Sequence, residues 1–149
     1  MAAGTVAMLA GCTGDDEIDL SGDVNVYSHR GIGDILVGPE GLTLYMFDLD
    51  SQGDPTSACY DDCATNWSPL TVMDDPTTGE GVTATLSTFE RDDGENQVAA
   101  NGWPLYYFAA DGDMGDIEGQ GVEGVWWVLD TAGVRKTRTP PPGGGGGPY

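Results

Sequence analysis

The chain has 149 residues, with 25 acidic side chains against 5 basic ones and a formal charge of −20. One domain is the default at that length, and the charge argues against a nucleic-acid partner, because neutralising phosphates takes clustered Lys and Arg. Four Trp, six Tyr and three Phe separate it from acidic disordered chains, which are poor in aromatics.

The acids are 18 Asp and 7 Glu, and Lys136 is the sole lysine. A surface of this kind suits very salty water. Dense carboxylates hold water and cations there, and concentrated salt screens their mutual repulsion. The sequence therefore reads as that of a halophile.

In chain order, residues 1–11 are small, apolar and uncharged. They are too few to span a bilayer, which takes roughly 20 residues, and read as an export signal without its usual basic start. Leu9-Ala10-Gly11-Cys12 has the form of a lipobox, cut before Cys12, whose thiol would then carry lipid and hold the protein to the outer side of the membrane. Residues 12–24 read as an acidic tether and residues 25–135 as a β domain. Segments 34–37 and 42–47 form an expected hairpin around the turn Gly38-Pro39-Glu40-Gly41. A helical turn is expected within 58–66. Segment 82–90 alternates, and Asp92-Asp93-Gly94 turns it back into 96–100. Residues 136–149, rich in Pro and Gly, read as a disordered tail.

The chain repeats itself. Residues 40–50 align with residues 101–111 at an offset of 61, with Gly41/Gly102, Leu44/Leu105, Tyr45/Tyr106, Phe47/Phe108 and Asp50/Asp111 identical. Each copy runs into an acidic, Gly-containing loop and then a Trp segment, around Trp67 or around Trp126 and Trp127. The expected fold is all-β, a small sandwich or barrel built from two related strand–loop–strand repeats. Within a strand, Tyr45 and Phe47 share one face while Leu44 and Met46 share the other. A strand apolar on both faces is covered on both sides. Asp50 and Asp111 follow the strand ends, where an Asp closes an Asx turn or accepts from loop amides. A functional reading of the same motif makes the Tyr and Trp rings a ligand-stacking or redox-active cluster.

Three cysteines leave one odd. With Cys12 lipidated, Cys59 and Cys63 remain as a pair, and an oxidising exterior favours their disulfide. Cys-x-x-x-Cys with the single histidine, His29, is also a conceivable copper site, since thiolates are soft ligands. One His argues against a blue-copper centre and most zinc enzymes. The acidic loops Asp48/Asp50/Asp54 and Asp111/Asp113/Asp116/Glu118 offer the oxygens calcium prefers, although their spacing fits no EF-hand. Gly119-x-Gly121-x-x-Gly124 matches a dinucleotide fingerprint but precedes a strand-like segment, not a helix, and is rejected. Asn66-Trp67-Ser68 is a glycosylation sequon weakened by Pro69. With no nucleophile elbow or His-Glu zinc helix, an enzyme of a familiar class is not expected, and neither is a resident cofactor.

The two Tyr-x-Phe-x-x-Asp copies, Cys59-x-x-x-Cys63 followed by Trp67-x-Pro69-Leu70, and Gly115-Asp116-x-x-Gly119-Gln120-Gly121 before Trp126-Trp127 occur together. In combination they resemble the secreted-repeat lipoproteins named for a Tyr-x-(Phe/Trp/Tyr)-x-x-Asp motif. The resemblance covers residues 35–133 and includes the lipobox. Ser68 departs from it, where relatives often carry a second Pro. It implies an exported, surface-anchored, β-rich protein and brings no activity with it. The sequence therefore points to a non-enzymatic cell-surface binding or envelope module, with an electron-transfer lipoprotein using Tyr/Trp or copper as the alternative.

Overall fold

The computed structural model describes residues 19–50 and 57–137. The export signal, Cys12 and most of the expected tether and tail lie outside the described residues. Within them the elements run β1 (Asn25–His29), β2 (Gly33–Val37), β3 (Tyr45–Phe47), α1 (Asp62–Asn66), β4 (Trp67–Pro69), β5 (Leu86–Glu90), β6 (Asn96–Ala100), β7 (Trp103–Pro104), β8 (Tyr106–Phe108) and β9 (Trp126–Val128). The strands form three small sheets: β1-β2, β5-β6-β7 and a central β4-β8-β3-β9, with every named pairing antiparallel. The all-β reading holds, and the sheets do not close into a barrel.

The repeat governs the architecture. β1 and β5 are displaced by 61 residues, as are β3 and β8. Single contacts recur with them. The Leu36 amide donates to Leu129 O (3.1 Å) and the Val98 amide to Leu70 O (2.8 Å). The Asp48 amide donates to Val125 O and the Ala109 amide to Asn66 O, both at 2.8 Å. Gly41 and Gly102 both stand at φ +87°, a left-handed conformation that costs glycine little and other residues more.

The central sheet exchanges strands between the repeats. β3 of the first repeat pairs with β9, the Trp strand of the second; β8 of the second pairs with β4, the Trp strand of the first. The two motif strands meet at the middle, Tyr45 opposite Tyr106. The domain is thus close to two-fold symmetric about that pair.

The hairpin expected over 34–37 and 42–47 forms at its turn and runs as far as Leu36 and Leu44, whose amide donates to Leu36 O (3.0 Å). The Gly38 amide donates to Leu42 O (2.8 Å), and Val37 bridges Thr43. Beyond Leu44 the strands part, as β3 enters the central sheet between β8 and β9 while β2 stays paired with β1. The hairpin of β5 and β6 forms in full, Leu86 opposite Ala100 through Glu90 opposite Asn96. The helical turn is present as the five-residue α1. Residues 19–24, assigned to the tether, contact the domain: the Asp23 and Val24 amides donate to Thr77 O, and Val24 is fully buried.

Two apolar clusters flank the central sheet. Tyr45 and Phe47 enter one, with Ile35, Trp67, Tyr106, Trp126 and Val128. Leu44 and Met46 enter the other, with Leu36, Leu70, Val98, Leu105 and Leu129. The alternation read from the sequence is the one observed. Burial of this kind is worth roughly 25 cal/mol per Å² of apolar surface and supplies most of the folding drive.

Candidate functional site

The motif side chains converge on the symmetry centre. Trp67 and Trp126 stack face to face with ring centroids 3.7 Å apart and planes 1° from parallel. Phe47 stacks on the other side of Trp126 (4.1 Å, 9°) and Phe108 on the other side of Trp67 (4.1 Å, 19°). The result is a four-ring column, Phe47–Trp126–Trp67–Phe108, in which every Phe–Trp contact joins one repeat to the other. Tyr45 stands edge-on to Trp67 at 5.3 Å and Tyr106 edge-on to Trp126 at 5.2 Å. Offset and edge-on pairs of this sort add about 0.5–1.5 kcal/mol each beyond their buried area.

The tyrosine hydroxyls reach carboxylates across the same centre. Tyr45 Oη donates to Asp111 Oδ2 and Tyr106 Oη donates to Asp50 Oδ2, both at 2.7 Å. Each Asp uses its other oxygen locally: Asp50 Oδ1 accepts from the Ala58 amide (2.6 Å) and Asp111 Oδ1 from the Glu118 amide (2.9 Å). The local loop bonds read from the sequence are therefore present, and the partner from the opposite repeat is what local reasoning misses. Both acids are buried, at 6% and 7% exposure.

Burial sets the titration of these groups. It raises Asp111 to about 6, against the bonds from Tyr45 and Glu118 and helped by the nearby charges of Asp116 and Glu118. Burial also raises Asp50, where the bonds from Tyr106 and Ala58 and the charge of Arg91 oppose it. Both phenols are pushed up, first by burial and then by the facing carboxylate. The paired form is therefore neutral phenol on carboxylate.

The loops behind the pairs differ. In the first repeat Cys59 and Cys63 form the expected disulfide, Cα atoms 5.2 Å apart. Arg91, buried on β5's turn, holds that loop: Nη2 donates to Cys59 O (3.0 Å), Nη1 to Gln97 Oε1 (2.7 Å), and the guanidinium lies 4.3 Å over the Tyr60 ring. Ser57 Oγ shares a 2.6 Å hydrogen bond with Tyr106 Oη. In the second repeat the Gly119 amide donates to Tyr45 Oη (3.1 Å). A Cβ at Gly119 would lie 2.6 Å from the Trp67 ring, so only glycine fits there. Arg91, Gln97, Ser57 and Gly119 stand outside the repeated motif, and only the second Gly-rich segment hinted at any of them.

The sulfurs of Cys59 and Cys63 bond to each other, and His29 Nδ1 accepts from the Gly31 amide (2.8 Å). In the acidic loops, Asp48 takes Trp127 Nε1 (2.9 Å) and pairs with Arg135, while Asp116 Oδ2 accepts from the Gly112 and Asp113 amides. Asp54 lies outside the described residues. Among the described residues no three His, Cys, Asp or Glu side chains converge in a way that would hold a metal ion.

The column borders a surface cleft. A cleft of about 310 Å³ is lined by Phe47, Leu49, Cys63, Trp67, Val125 and Trp126, with Asp62, Asn66 and Glu123 beside them. Leu49 is 66% exposed there.

A family model described as a secreted repeat of unknown function matches the chain twice, over residues 27–71 and 87–130, together more than half of its length. No curated protein and no solved structure matches it.

Proposed function

The chain belongs to that secreted-repeat family, and from this premise we propose that it is an exported, non-enzymatic binding module of the cell surface, anchored by lipid at Cys12. The segment before residue 19 serves as the acidic spacer between anchor and domain. The domain meets its ligand at the cleft, and the ligand is a positively charged, partly apolar segment of another protein.

One observation carries the binding reading: an exposed Leu49 in the same cleft as Trp67 and Trp126, with Asp62 and Glu123 and no base in the lining. Exposed apolar groups beside buried aromatics are the usual core of a recognition site. A charge of −20 repels acidic partners and favours a Lys- or Arg-bearing one. In molar salt the screening length falls to about 3 Å, so Leu49 and the rings supply most of the affinity and the two acids act only at contact.

The test is a titration of the purified domain with an amphipathic Lys-bearing peptide, followed by tryptophan fluorescence. Binding should saturate, weaken in Leu49→Ser and in Asp62→Asn with Glu123→Gln, and weaken when the peptide's lysines become glutamates. Equal binding by all variants sinks the site. The anchor is tested separately: Cys12→Ser should leave the membrane fraction, and its retention there at the same level removes the lipid from this reading.

A further inference from the structure

We propose that the ring column and the crossed Tyr–Asp pairs form a site that takes up one oxidising equivalent, entering at the cleft through Trp67 and Trp126 and coming to rest on Tyr45 or Tyr106. This activity is independent of ligand binding at the same cleft.

The geometry meets each requirement in turn. Trp67 and Trp126 both line the cleft although little of either is exposed, so a one-electron oxidant seated in the cleft, such as a peroxyl-type radical or an outer-sphere metal complex, takes an electron from the rings across a short distance without entering the core. Their cofacial overlap at 3.7 Å spreads a positive hole over two indoles. Each indole then has its own tyrosine in edge contact, Tyr45 on Trp67 and Tyr106 on Trp126. A buried phenol gives up an electron readily only when its proton has somewhere to go. Asp111 and Asp50 each accept a 2.7 Å hydrogen bond from one of the two hydroxyls. Phe47 and Phe108 cover the outer faces of the two indoles.

The step balances. The oxidant gains one electron from the stacked indoles. The Tyr45 phenol returns one electron to Trp67 while its O–H bond breaks and the proton moves to Asp111 Oδ2. What remains is a neutral phenoxyl radical, a neutral carboxylic acid, restored indoles and a reduced oxidant. The same holds for Tyr106, Trp126 and Asp50. A one-electron donor of the thiol or ascorbate class resets the pair, the proton passing back from carboxyl to phenol.

Flash photolysis of the folded full-length chain with photogenerated tris(bipyridyl)ruthenium(III) tests this. The indole radical signal should decay as a phenoxyl signal rises, and freeze-quenched samples should show a neutral tyrosyl radical by electron paramagnetic resonance. In Asp50→Asn with Asp111→Asn the hydrogen bond has an acceptor but the proton does not. The rise should slow about a hundredfold, the low end of what a positioned base contributes. Tyr27→Phe with Tyr60→Phe should leave it unchanged. Should the Asn variant lose its near-UV circular dichroism, the wild-type chain refolded in heavy water replaces it, where the rise should be slower than in ordinary water. An unchanged rise in a folded Asn variant, no isotope effect, or a signal abolished by Tyr27→Phe with Tyr60→Phe overturns the proposal.

Discussion

The two repeats bring the same Tyr, Phe and Asp to the centre and support them with different loops. Behind Asp50 stand a disulfide, the short helix α1 and the buried Arg91. Behind Asp111 stand Gly119, pressed on an indole, and the acids Asp116 and Glu118. The contacts that match include all those that join the repeats at the centre: Trp on Trp, Phe on the other repeat's Trp, Tyr on the other repeat's Asp. Within each repeat, Tyr also meets its own Trp and each Asp takes one loop amide. The contacts that differ are mostly those by which each loop supports its own strand. Symmetric contacts change in pairs or not at all, whereas a loop is free to find its own way of holding one carboxylate.

The largest effect should come from the column. Trp67→Ala and Trp126→Ala should each cost about 3–5 kcal/mol, the range for truncating a buried aromatic. The two losses should be nearly equal in urea denaturation, and the double variant should cost less than their sum because the rings touch. Strongly unequal single losses would break the equivalence of the halves.

Removing one hydroxyl should separate the halves. Tyr45→Phe and Tyr106→Phe each deprive a buried carboxylate of a donor, costing about 1–3 kcal/mol. Tyr45→Phe should be the worse at neutral pH, since Asp111 then faces Asp116 and Glu118, while Asp50 retains the field of Arg91. The difference should shrink below pH 6 as Asp111 protonates. Chemical denaturation at two pH values measures it.

The staple belongs to the first repeat alone. Cys59 and Cys63 close a very short loop, so reduction should cost about 2 kcal/mol, the low end for disulfides. Reduction should leave the domain folded in molar salt and unfold it in dilute buffer, where the repulsion of −20 charges extends about 30 Å at 0.01 M. Near-UV circular dichroism during a salt titration, with and without reductant, is the measurement. Overlapping curves remove the staple's role, and a flat curve removes the salt-adapted reading.

The smallest effect is a slope. Asp111 moves from 3.8 to about 6 on folding, so between those values the folded form holds a proton that the unfolded form has lost. Stability from this group is therefore present at low pH and is lost as pH rises towards 6. Asp111→Asn should flatten that fall, and Asp50→Asn should flatten it less because Arg91 opposes the rise of Asp50. Thermal melts across that window should show it, and equal slopes would mean the loops do not set the two acids apart.

What could be read in advance follows from the range of the forces involved. The β5–β6 hairpin was legible because Asp92-Asp93-Gly94 dictates a local turn. The two-sided burial of β3 was legible because alternating apolar residues name both faces. β1 was missed, since Asn25-Val26-Tyr27-Ser28-His29 mixes polar and apolar residues without the alternation that marks a strand. The crossing of Tyr45 to Asp111 was not legible either. Each Asp has a local role that explains it, and nothing within 10 residues of Tyr45 indicates a partner 66 residues on.

The exchange of Trp strands also fixes when the protein becomes a protein. β3 is made early, but its partner β9 ends at Val128. Until that last strand arrives, Phe47 lacks its stacking ring and β3 lacks its neighbour on one side, so the first repeat emerges as a half-finished sheet with an open edge. Pairings this distant in sequence form slowly, so the central sheet closes after the local hairpins β1–β2 and β5–β6. For a member of a secreted family that delay is useful, because a domain whose central sheet is still open has less to unfold on its way out.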